Sequence, residues 1–238
     1  RTIELTEDDD IRYYTDLKCK KEIKLPANTL ITLTDVLFLN SNTVLDLNGS
    51  TLKFDYTRPT AVSINWDETL SVMTYKPSDT FTGFNGEHDI TIKNGSIEKG
   101  CALFMHSKNV NIENVKFVKI SGSRHAMQIA GCKDFTIKDC VFNGTYPEND
   151  SGSECVNIDP CTYGGQPYSP ENSPMFDETV NSNIAIKSNK FNTADVLTLR
   201  YTNGVGSHTG DEIITCDGLF IENNDFGSPY TSAINIAN

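Results

Sequence analysis

The sequence predicts an all-β chain wound as a right-handed parallel β-helix, a solenoid with a short N-terminal capping helix. Three observations carry that reading. A short phrase (Ile, then Lys or Glu, then Asn, Asp or Ser, two free positions, then Phe or Ile) occurs five times, at 92–97, 112–117, 137–142, 186–191 and 221–226. The phrases recur at intervals of 20, 25, 49 and 35 residues, so one unit is about one supersecondary turn and the last two intervals carry insertions. Within a unit, Ile90 and Ile92 alternate with Thr91 as a half-buried strand requires, and the Asn or Asp that follows tolerates a left-handed corner.

No single unit can bury its apolar face alone. Stacked strand on strand at about 4.8 Å, the units place Ile92, Ile112, Ile137, Ile186 and Ile221 in one column. Ile97, Phe117, Phe142, Phe191 and Phe226 form a second. Asn94, Asn114, Asp139, Ser188 and Asn223 then make a polar ladder, each side chain expected to bond the backbone of the next rung. An antiparallel sandwich would have no need of so regular a set.

In chain order, residues 1–21 are expected to be a cap. Thr6 is placed as its helix cap with acids in the first turn, and Ile11, Tyr14 and Leu17 share one face. Asp8, Asp9 and Asp10 lack the Gly-punctuated spacing of a calcium loop, and no metal is expected there. The solenoid follows over 22–238. Strands are predicted at 23–25, 30–33, 36–39 and 44–47, then Asn48-Gly49-Ser50 as a corner and a strand at 51–54. Between Pro59 and Gly86 the segments 61–64 and 70–73 are strand-like, with side loops around them. The later coils repeat a second strand at 103–106, 126–130, 155–159, 196–200 and 233–237. A stop at Asn238, directly after such a strand, leads us to expect a piece of a longer protein.

Composition narrows the function. With 32 acidic against 20 basic residues the net charge is −12 and there is no basic run, which argues against a nucleic-acid or anionic-membrane partner. No stretch approaches a membrane span, so no membrane insertion is expected. The seven cysteines show neither Cys-x-x-Cys nor a Cys/His cluster along the sequence. They read as buried small hydrophobes, and no metal or cofactor is expected.

The candidate chemistry lies on the outer face of the second strands. If Met127/Ile129, Val156/Ile158 and Leu197/Leu199 face inward, then Gln128, Asn157 and Thr198 face outward in one row, and Asp159 and Arg200 in the next. Long loops at about 160–183 and 201–218 border that face and are expected to wall a cleft, bringing Tyr163, Tyr168, Tyr201 and His208. Amides, a carboxylate, an arginine fork and aromatic faces suit a sugar chain. Gln128, Asn157, Thr198, Tyr163 and Tyr201 are the candidate binding residues, and Asp159, Arg200, His125 and His208 the candidate catalytic ones. Asp159 and Arg200 could equally be a plain cross-strand ion pair. His125, Glu154, Asp195 and Ser232 are expected in one further column, where two neighbouring carboxylates would push one pKa upward.

The runs 123–134 and 142–144, then 154–160 and 204–209, resemble the pectate-lyase-like superfamily, and more narrowly the parallel β-helix proteins of Gram-positive bacteria and their prophages. That resemblance implies an extracellular, cell-surface or virion-associated chain that binds a polysaccharide or host glycan, with homo-oligomers of the full-length protein left open. It carries no catalytic set across. Neither the Asn-Thr-Asp, Asp-Asp, Gly-His-Gly and Arg-Ile-Lys motifs of polygalacturonases nor the acidic calcium cluster of pectate lyases is present. A glycan-binding adhesin therefore stands first, a polysaccharide lyase or glycoside hydrolase second, and a structural stalk or tail-spike segment third.

Overall fold

The computed structural model describes residues 1–55, 70–118, 125–143, 154–163, 169–192, 203–207, 215–227 and 232–236. In chain order its elements are β1 (Thr2–Glu4), α1 (Ile11–Thr15), β2 (Lys21–Lys24), β3 (Leu30–Leu33), β4 (Leu37–Phe38), β5 (Thr43–Asp46), β6 (Thr51–Phe54), β7 (Leu70–Met73), β8 (His88–Glu98), β9 (Cys101–Met105), β10 (Lys108–Val118), β11 (Met127–Ala130), β12 (Lys133–Lys138), β13 (Val141–Asn143), β14 (Glu154–Asp159), β15 (Asn181–Lys187), β16 (Lys190–Asn192), β17 (Asn203–Gly206), β18 (Cys216–Glu222) and β19 (Ser232–Asn235).

Among the described residues every strand pairing is parallel. The strands form three faces of one right-handed coil. The first runs β1-β2-β5-β8-β10-β12-β15-β18. The second runs from β3 through β6 and the far halves of β8 and β10 to β13 and β16. The third is a separate seven-stranded sheet, β4-β7-β9-β11-β14-β17-β19.

The repeated phrase sets the register. Ile92 pairs with Ile112, Ile112 with Ile137, Ile137 with Ile186 and Ile186 with Ile221. In the second column Phe117, Phe142, Phe191 and Phe226 stack with centroids 5.0, 4.8 and 4.7 Å apart and planes within 9° of parallel. Between the columns, Asn94, Asn114, Asp139, Ser188 and Asn223 all take a positive φ, from 53 to 62°. These residues tolerate that conformation because a short polar side chain bonds locally.

The ladder itself differs from expectation. Asn114 Nδ2 donates to Asn94 Oδ1 at 3.1 Å, and Asn94 Nδ2 to Asp46 Oδ1 at 3.2 Å, so the corner side chains bond each other. The bonds to backbone are made one residue further on, where the side chain points inward. Buried Asn189 accepts the Cys140 N–H at 2.9 Å and donates to the Ile137 carbonyl at 3.0 Å. Asn224 repeats this against the Asn189 N–H and the Ile186 carbonyl, both at 2.8 Å.

Three other expectations are corrected. The N-terminal helix is one short turn, capped by Asp10, whose side chain accepts the Arg12 N–H. Thr6 instead donates through its N–H and hydroxyl to Asp9, closing a separate turn. Ile11 and Leu5 join the main core, and β1, inside the expected cap, already pairs with β2. On the third face the partner of β14 after β11 is β17, at residues 203–206, a stretch expected within a loop. The β-branched and leucine content of 196–200 made it the better strand by composition, whereas Asn203-Gly204-Val205-Gly206 reads as a turn. The segments 61–64 and 196–200 lie outside the described residues.

Phe142 has a stacked ring on each side and is fully buried, so Phe142→Ala should lower stability by about 3–5 kcal/mol. Urea denaturation checks this, and a loss below about 1 kcal/mol would show that the column is not a packed one. Asn189→Ala, which strips partners from two buried backbone groups, should cost about 1–3 kcal/mol by the same measurement.

Candidate functional site

Chemistry-bearing side chains collect in two places, the outer side of the third face and the outer side of the first. On the third, the alternation holds: Met127, Ile129, Val156 and Ile158 belong to the main core, and Gln128 pairs in register with Asn157 and Ala130 with Asp159. These outward-turned side chains are buried, however. Gln128 is 4% exposed and Asn157 and Asp159 are 0% exposed. A second apolar layer lies on part of this face. Tyr75 and Phe81 from one loop, and Cys161, Met175 and Phe176 from another, pack on Leu103, Met105 and Ala130. Tyr163, expected as a cleft wall, lies half-buried edge-on to Phe176 at 5.7 Å. Thr198, Arg200, Tyr201 and His208, together with Tyr168 and Asp195, lie outside the described residues.

His125 and Glu154 do meet. The imidazole Nδ1 is 3.3 Å from Glu154 Oε2 and 3.2 Å from the Glu154 carbonyl, and both residues are buried. Glu154 reaches across β17, where a Cβ on Gly206 would come within 2.4 Å of its Cγ. That close approach is why a glycine occupies this rung. The column expected to hold Asp195 holds Asn203 in its place, between Glu154 and Ser232.

The first face, and the corner where it meets the second, are open to solvent and polar. The Asn114-Asn94-Asp46 ladder lines a groove of about 600 Å³ with Asn48, Ser96, Lys116 and Asp139. A second groove of about 500 Å³ contains Glu22, Asp89, Thr91, Asn109 and Asn111. Here a second column of left-handed residues, Asp89, Asn109, Asp134 and Asn183, repeats the device. Asn109 Nδ2 donates to Asp89, and Asn183 Nδ2 to Asp134 Oδ1 at 2.6 Å. The bond from Asn109, then that from His88 at 2.7 Å, hold the Asp89 carboxyl below the usual carboxylate range. None of the residues lining either groove is aromatic; amides and carboxylates, with Lys116 in the first groove and Arg1, Lys20 and Lys21 in the second, supply the polar groups.

Sequence reasoning passed over both grooves, because it looked for function beside the insertions. The signal was the polar ladder itself, which had been assigned to the backbone. It also missed that His106, Cys161 and Asp177 come together, since contacts between such distant positions follow only from the path of the loops.

Geometry of this kind defines a parallel β-helix with polar grooves across its rungs. No family model matches the sequence, and no curated protein matches it. Among solved structures, the chain is similar to the crystal structure of PfbA, a surface adhesin of Streptococcus pneumoniae, with a TM-score of 0.65 at 20% identity over 85% of this chain and 48% of that one. A second structure, of the Streptococcus pneumoniae surface protein and adhesin PfbA, gives a TM-score of 0.70 at 20% identity over 90% of this chain and 55% of that one. The chain thus spans about half the length of these structures, and the likeness is one of fold.

Burial also decides thiol reactivity. It pushes the Cys132 and Cys140 thiols up to about 12 and Cys216 up to about 11, and raises Cys155 well above its ordinary value, while Cys19 is exposed. The thiolate is the reactive form. At about pH 8 an aromatic disulfide reagent should therefore find one fast thiol of the seven in the folded protein and all seven in denaturant. Two or more fast thiols before unfolding would contradict this packing.

Proposed function

We propose that the chain is the ligand-binding β-helix of a secreted or cell-surface protein, an adhesin of pectate-lyase-like build that takes a polysaccharide or host glycan along its first face. The observation that carries this reading is the ladder of hydrogen-bonded amides and carboxylates, which offers the same polar groups at successive rungs to a polymer that repeats its hydroxyls. The surface-adhesin character of the similar solved structures supports it. A net charge of −12 favours neutral over polyanionic glycans. Individual contacts of this kind are weak, and affinity comes from many rungs engaging one chain.

A second reading, a glycoside hydrolase or polysaccharide lyase, is favoured by the buried His125–Glu154 pair, which has the separation of a proton-transfer couple. It requires the loops over the third face to move aside.

A glycan panel separates the two. Saturable binding without new reducing ends or unsaturated products is expected for the adhesin, and turnover would support the enzyme. The ladder is tested with Asn94→Gly and Asn114→Gly, since glycine keeps the positive φ and removes only the amide. Each change should weaken binding about tenfold, the loss of one or two hydrogen bonds, while the circular dichroism stays that of the parent. Unchanged affinity in both variants would remove the groove at this corner as the binding site.

A further inference from the structure

The second face begins with a strand that is paired on one side only. Among the described residues β3 is hydrogen-bonded to β6 and to no other strand. Successive residues of a strand turn their N–H and C=O groups to opposite sides in alternation. The Thr51 N–H donates to the Thr29 carbonyl and the Asp55 N–H to the Leu33 carbonyl, so positions 29, 31 and 33 face β6. Leu30 and Thr32 therefore hold their backbone groups toward the other side, and both residues are exposed, Leu30 at 63%.

The apolar column behind this face ends at the same place. Ile31 pairs with Leu52 and Leu52 with Ile97. Leu52 and Ile97 are buried, whereas Ile31, first in the column, is half-buried. Sheet edges are ordinarily blunted by a lysine, a proline or a bulge. Leu30-Ile31-Thr32-Leu33 has neither charge nor proline, and its register against β6 is unbroken.

A groove of about 540 Å³ lies between this strand and the turn that opens α1. Glu7, Asp9 and Asp10 line it together with Arg12, whose guanidinium is taken up by Asp10 at 2.7 Å. Hydrogen bonds from the Thr6 N–H and hydroxyl hold the Asp9 carboxyl below the usual carboxylate range, so it is ionised at neutral pH. The rim is thus anionic on balance. Two copies of the chain meeting edge to edge would set these carboxylates against each other, which disfavours a second copy as the occupant.

We infer that β3 takes up an extended, basic segment of another protein as an added strand. Its backbone pairs with Leu30 and Thr32, an apolar side chain covers Ile31, and its lysines or arginines meet Glu7 and Asp9. Main-chain bonds supply the affinity of such an added strand, and the Ile31 position and the acidic rim supply the selection. This site is separate from the amide ladder and does not rest on glycan binding there.

The test uses a labelled peptide alternating valine with lysine, and its counterpart with glutamate in place of lysine. The lysine peptide should bind saturably and about tenfold tighter than the glutamate peptide, and the Leu30 and Thr32 amides should gain protection from hydrogen exchange. Thr32→Pro removes the N–H that faces the groove, at an edge position where a strand tolerates proline, and should weaken binding about tenfold with the circular dichroism of the parent. Glu7→Lys, at an exposed position, should narrow the preference for the lysine peptide. Asn94→Gly and Asn114→Gly should leave peptide binding unchanged. Equal affinity for the two peptides, full binding by Thr32→Pro, an unchanged preference in Glu7→Lys, or loss of peptide binding in the Asn94 and Asn114 variants overturns the proposal. So does sedimentation showing a dimer that Thr32→Pro disperses, for the occupant would then be a second copy.

Discussion

Everything in this molecule depends on like residues lying directly above like across parallel strands. A parallel rung has no hairpin to fix its register. The sequence supplies that register with two apolar columns, isoleucine on one side of a corner and phenylalanine (Ile97 in the first copy) on the other, five residues apart in every phrase. A slip by one residue would turn both columns outward at once and close the inward asparagines out of their bonds to Cys140 and Ile137. The hydrophobic term gives the strength, and the left-handed corners and buried amides give the uniqueness.

That division explains what could be read beforehand. The columns at Ile92 to Ile221 and Ile97 to Phe226, and the positive-φ corners between them, follow from local pattern and a repeat, and each is found where the sequence placed it. The polar ladder was legible as a position but not as a partner, because whether Asn114 reaches backbone or Asn94 depends on the angle of the corner. The segment 203–206 was read as loop since its glycines deny it strand propensity, yet it takes the rung beside β14 where a side chain at 206 would meet Glu154. Alternation correctly turned Gln128, Asn157 and Asp159 away from the core, but alternation says nothing of what lies on top. The apolar layer on part of this face comes from residues such as Tyr75 and Met175, far away in sequence and brought back by loops of irregular path.

The two sides of the coil therefore carry different physics. The first face shows solvent a shallow, repetitive array of amides and carboxylates suited to weak contacts added along a polymer. The third carries an apolar layer over part of its outer side, where His106, Cys161 and Asp177 meet, and holds the buried pair His125 and Glu154 at the start of β14. Ionisable groups held away from water in that layer interact more strongly than the same groups would on the open side.

The corner between the first and second faces has one further consequence, for how such a chain can diversify. The phrase keeps its internal length in all five copies, while the intervals between copies range from 20 to 49 residues. Growth and shrinkage of the chain are thus confined to the junctions leading to and from the third face. The first-face edge behaves as a spine of constant pitch, so new segments can be acquired on the opposite flank with the spine's spacing, and any polymer matched to it, left unaltered.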